Sequence, residues 1–123
     1  MNSKVVRVIG VLGILWNAGG VYAYLDHVGA GGEPGTAMPA LITAAFATAA
    51  FAGLAGSVGL ALLQRWAAPV LWLSFAAAVV NWGWVFAYGR EGEVPLGVAV
   101  IAGALLLAVV ASRATGARGV RAG

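Results

Sequence analysis

The sequence predicts an all-α polytopic membrane protein, a bundle of four transmembrane helices with both termini on the cytoplasmic side. Three observations carry this reading. Of 123 residues, 62% are hydrophobic and only 9% are charged. A water-facing globule of this size needs charged residues nearer a quarter of its chain, so lipid must be the solvent for most of the surface. Four apolar stretches, each close to the ~20 residues that cross a hydrocarbon core of ~30 Å, are separated by short polar breaks. Finally, the basic residues gather on one side of the predicted membrane and the acidic ones on the other.

The first span runs from about Val5 to Leu25, opened by Lys4 and Arg7. Basic residues, an apolar run and Val21-Tyr22-Ala23 also resemble a signal peptide with a small-residue cleavage site, but the run is longer than a signal core, so the segment is read as a retained span. A glycine-rich loop, 29–35, leads to the second span, about Pro39 to Leu63. Gln64-Arg65-Trp66 makes a tight polar turn into the third, about Pro69 to Gly89. A second turn, Gly89-Arg90-Glu91-Gly92, leads to the last, about Pro95 to Ser112. Prolines 39, 69 and 95 stand at span starts, where a missing N–H costs nothing. Only helices can cross in this way, because an open sheet edge in lipid leaves backbone groups unpaired.

Six of the seven basic residues (Lys4, Arg7, Arg65, Arg113, Arg118 and Arg121) fall on one side. Asp26, Glu33, Glu91 and Glu93 fall on the other, with Arg90 the single basic exception. The excess of positive charge marks the cytoplasmic face, and the preference for arginine over lysine suggests a bacterial inner membrane. Trp66 and Trp72 would lie near the inner boundary, and Tyr22, Tyr24 and Tyr88 near the outer one. The basic residues are too few and scattered for nucleic acid. The whole chain, 1–123, reads as one four-helix domain.

Small residues recur at a spacing of four: Ala52 with Gly56, Gly53 with Ser57 and Ala55 with Gly59 on the second span, Ala99 with Gly103 and Ala104 with Ala108 on the fourth. In lipid such faces let helix backbones approach closely. Packing within the chain is the expected use, with a dimer face on the second or fourth span as the alternative.

The chemistry is sparse. With no cysteine, thiol catalysis, disulfides and thiolate metal sites are excluded. No charged residue lies deep in a span, which argues against a proton- or cation-coupled antiporter. His27, the only histidine, is too peripheral for a haem ligand, and beside Asp26 it makes either a pH-sensitive gate or a solvated helix end. No cofactor, metal or enzymatic activity is expected. The neutral polar residues are more informative. Asn17 and Asn81 each lie eight residues from the outer end of their spans, which places both ~12 Å below the boundary. Thr48 and Gly103 come out at a similar depth, and Trp16, Trp82 and Trp84 flank them. Amides beside indole walls can bind a neutral polyol or sugar, so Asn17, Asn81, Trp16, Trp82 and Thr48 are the candidate binding residues. The alternative is that the asparagines only tie helices together.

The run Leu15-Trp16-Asn17-Ala18-Gly19-Gly20-Val21-Tyr22-Ala23-Tyr24, followed by Ala45-Phe46-Ala47, Gly53, Gly56-Ser57, Leu62-Leu63, Arg65-Trp66-Ala67 and Ser74, resembles a group of small four-span bacterial inner-membrane proteins loosely labelled sugar transporters. The resemblance covers the first three spans and implies a small-solute carrier or facilitator, acting as a homodimer because four short helices enclose little volume. An aspartate usually precedes the tyrosine matched by Tyr24 in that group; here the position is Ala23. The short loops and alanine-rich faces also suit a non-catalytic accessory subunit packed against a larger membrane-protein partner.

Overall fold

The structure, a computed structural model, describes residues 2–29, 40–88 and 94–122, with side chains for 2–26, 40–88 and 94–114. It holds four helices, α1 (Ser3–Gly29), α2 (Ala40–Ala61), α3 (Ala67–Tyr88) and α4 (Val94–Ala122), and no strand among the described residues. Each has an apolar stretch long enough to cross a membrane, at Ser3–Asp26, Ala40–Ala61, Ala67–Tyr88 and Val94–Ala114. The helices outrun the apolar spans at two places. α1 continues past Leu25 to Gly29, and α4 continues past Ser112 into the arginine-bearing tail, where helix geometry persists after the apolar run ends. The breaks at 30–39 and 89–93, with Glu33, Arg90, Glu91 and Glu93, lie outside the described residues.

The helices run up and down, each packed chiefly on its chain neighbour, with α1 and α4 touching over a much shorter stretch. Contacts fix the antiparallel register. Gly10 of α1 meets Ala61 near the end of α2, Gly13 meets Ser57, and Gly20 faces Ala50. Lys4, Arg7, Arg65 and Arg113 therefore share one end of the bundle with the α2–α3 turn, and Asp26 lies at the other end.

Small residues make this packing. A Cβ on Gly10 would sit 2.5 Å from the backbone nitrogen of Ala61, so hydrogen alone allows the two backbones their approach. Gly53, Gly56, Ser57 and Gly59, on the small-residue face of the second span, are all buried within the chain, the first three against α1 and α3 and Gly59 against Trp66 of the turn. Since apolar side chains gain little from leaving lipid for one another, this close van der Waals contact is what holds helix to helix.

The α2–α3 turn is closed by a two-bond helix cap. The amide of Gln64 donates to the carbonyl of Gly59 (2.8 Å) and that of Leu63 to Leu60 (3.0 Å), the pattern of a helix ending in a left-handed residue. That residue is Leu63, with φ of 58°. Glycine usually stands here, and a branched side chain costs about 1–2 kcal/mol in this conformation. Leu63 offsets the cost by packing, half-buried, on a core of Val6, Leu60, Ala67, Leu71, Leu107 and Ala111. This core fills the end of the bundle nearest the turn. Trp72 Nε1 donates to Ser112 Oγ (2.6 Å) and pins α3 to α4 at the same end.

Candidate functional site: a cavity between the four helices

Away from that core the helices part, leaving a cavity of about 360 Å³ with wall residues from all four. Leu71 and Leu107 belong both to the core and to the cavity wall, so they form its floor. Above them stand Trp16 and Asn17 from α1, Ala50 from α2, Ser74, Asn81 and Trp82 from α3, and Val100 and Ala104 from α4. The periodicity of α3 explains its share. Leu71, Ser74, Ala78 and Asn81 recur at helical spacing and fall on one buried stripe.

Each asparagine and serine side chain in the wall has a defined partner. Asn17 Nδ2 donates to the Gly13 carbonyl one turn earlier (2.8 Å) and to Ser57 Oγ on α2 (3.3 Å). Its Oδ1 lies against Gly53, where a Cβ would collide with it, so the amide is seated on the bare face of that glycine. Ser74 Oγ donates to the Ala49 carbonyl (2.7 Å) and lies 3.0 Å from the same Cβ position. Asn81 is buried, and its Nδ2 donates to the Ile42 carbonyl (3.3 Å).

Four of the five predicted binding residues, Trp16, Asn17, Asn81 and Trp82, line this one cavity. Thr48 does not. Its hydroxyl donates to the Ala44 carbonyl of its own helix (2.9 Å), outside the wall. Nor do the two asparagines form one layer. Ser74, which meets Gly53 beside Asn17, stands seven residues before Asn81 on α3, so the two amides differ in height by about 10 Å at the 1.5 Å rise of a helix. α1 runs twelve residues beyond Asn17 and α3 only seven beyond Asn81, so counting back from apolar ends set them falsely level. The polar layer that does form is Asn17 with Ser57 and Ser74, and Asn81 stands two turns beyond it. Gly103 keeps the level expected of it relative to Trp16, whose Nε1 is 3.5 Å from its Cβ position.

Sequence reasoning missed Ser57 and Ser74. Ser74 was legible through its seven-residue offset from Asn81, two turns along one helix face. Ser57 had no such marker.

The wall carries no charged side chain among the described residues, and no group of three or more metal-ligating side chains occurs among them. Asp26 is exposed at the far end of α1, and the side chain of its neighbour His27 lies outside the described residues. A cavity of this kind suits a neutral guest, because a charged one would shed its water without gaining a counter-charge. Comparison with protein families, curated proteins and solved structures finds no match to this chain.

Proposed function

We propose that this integral membrane protein binds a small neutral solute in the cavity and carries it across the membrane, without catalysing a reaction on it. The observation that supports this most is the cavity itself. Its volume lies within the ~300–1,000 Å³ of small-molecule sites, and its wall is mostly apolar with a few fixed polar groups, as such sites are. The chain could fill this space with larger residues at Gly20 or Ala50 and does not.

The protein sits in this reading in a bacterial inner membrane, with the end bearing Lys4, Arg7, Arg65 and Arg113 in the cytoplasm. The distribution of basic residues supports that orientation. A homodimer supports carriage better than a lone chain, since four helices give the solute one enclosing layer. The carrier reading agrees with what the resemblance of the first three spans implies.

Native mass spectrometry of the protein released gently from its own membrane tests the proposal. A lone chain or homodimer retaining a small molecule, lost in Asn81→Leu while the protein stays folded, is the expected result. A fixed-ratio complex with different chains and no bound solute would make this an accessory subunit instead.

A further inference from the structure

We propose that the guest of this cavity is a neutral, mostly apolar molecule and not a hydroxyl-rich one such as a sugar. This rests on the cavity being a ligand site. Two independent observations carry it.

The first is the state of the amide and hydroxyl groups in the wall, which leaves only the indole N–H groups of Trp16 and Trp82 for a guest's polar atoms. The donors of Asn17 are spent on Gly13 and Ser57, the hydroxyl of Ser74 on Ala49, and Asn81 Nδ2 bonds Ile42. A polyol brings several hydroxyls that each need a partner, and every one buried without it costs about 1–3 kcal/mol. An apolar body makes no such demand on Leu71, Ala78, Val100 and Leu107.

The second is the Gly19–Gly20 pair. Glycine inside a helix costs about 1 kcal/mol relative to alanine, so a protein keeps it where something must come close. At Gly10, Gly13, Gly53, Gly56, Gly59 and Gly97 a neighbour explains it, since a Cβ would meet that neighbour within 3 Å. A Cβ on Gly19 would meet nothing within 4 Å, and one on Gly20 only Ala50 Cβ at 4.0 Å. Both glycines line the cavity. Gly83 is equally open, but on an exposed face of α3 away from the wall, so what sets Gly19 and Gly20 apart is that they border the cavity, where their bare backbone leaves room for a guest lying flat along the strip. The same wall continues to the outside at Leu15 and Leu96, 66% and 54% exposed on α1 and α4, which touch over only a short stretch. The cavity therefore adjoins an apolar surface within the spans.

The empty strip supplies its own test. The first atom of a side chain at position 19 or 20 has room and the rest can extend into the cavity, so Gly20→Leu and Gly19→Leu should fold. The wild type and both variants, in lipid nanodiscs, are titrated with N-phenyl-1-naphthylamine, a neutral apolar fluorophore, and energy transfer from tryptophan is followed. Wild type is expected to show saturable transfer above that of empty discs. Both variants should lose it while keeping their helical circular dichroism, and excess methyl β-glucoside should not reduce it. Equilibrium dialysis of labelled methyl β-glucoside runs in parallel. Glucoside binding that the variants lose, without saturable probe transfer, would overturn the apolar class and leave the cavity a ligand site. Neither probe binding would overturn both. Mass analysis of molecules extracted from the purified protein then tells a bilayer lipid from a smaller apolar compound; a co-purifying sugar would again overturn the proposal.

Discussion

Asn17 and Gly53 form the tightest side-chain fit in the site. Gly53→Ala places a methyl group where the Asn17 carboxamide sits and 3.0 Å from Ser74 Oγ. The amide must swing out or α1 must move, so the change should destabilise by about 1–3 kcal/mol, the usual range for overpacking. Thermal unfolding in a fixed detergent would read this as a lowered midpoint. Ser57→Ala should cost less, about 0.6 kcal/mol and at most about 2, because it removes one hydrogen bond between helices and leaves the Asn17 donor its bond to Gly13. A larger loss for Ser57→Ala than for Gly53→Ala would mean that the hydrogen bond, and not the fit, holds the pair. Trp16, Asn17, Asn81 and Trp82 were legible as site residues because polar and indole side chains are rare in an alanine-rich span. What a sequence could not convey was their relative height. That depends on how far each helix runs past its apolar stretch, and nothing in the hydropathy of 26–29 announces that α1 goes on.

At the scale of the element, the α2–α3 turn is the place where local preference is overruled. Leu63 adopts a left-handed conformation that glycine would take freely, and packs on the core in return. Leu63→Gly should therefore leave stability nearly unchanged, since relief of about 1 kcal/mol offsets the lost packing. Leu63→Val should destabilise by about 1–2 kcal/mol, because β-branching is least tolerated at positive φ. Denaturation of the two variants side by side checks this; a tolerated valine would place the strain elsewhere. α1 and α2 offer a second case at Gly10, where alanine would meet the Ala61 backbone. Backbone cannot turn aside as a side chain can, so Gly10→Ala should part the two helices and lower the unfolding midpoint. The four helices themselves were plain from apolar length and proline punctuation, and of the small residues of α2 expected to pack, Gly53, Gly56, Ser57 and Gly59 are buried while Ala55 is exposed. The left-handed leucine was not legible, because no turn residue stands there to signal it.

For the molecule as a whole, the absence of cysteine is an experimental convenience with a sharp use. Single cysteines in place of Asn2, Gln64 and Glu91 can be labelled without background. In the proposed orientation, with both termini and the α2–α3 turn cytoplasmic, an impermeant maleimide added to intact cells should label position 91 alone, and opening the cells should expose 2 and 64 together. Labelling of 2 and 64 from opposite sides would break the antiparallel four-span arrangement. Labelling of both from outside would keep the arrangement and invert it.

The pairing of each helix with its chain neighbour also has a meaning in time. Contacts local in sequence need little loop closure, and chains fold from the N-terminus as they are made. The α1–α2 hairpin, with Gly10 on Ala61 and Asn17 on Gly53, can be complete while α4 is still inside the ribosome. α3 can then add Ser74 and Asn81 to a surface that already exists. α4 arrives last, and it has α3 as its main dock and the Trp72–Ser112 bond as its latch. Until that moment the future cavity is an open trough on a three-helix intermediate, and α4 is what gives it a fourth wall.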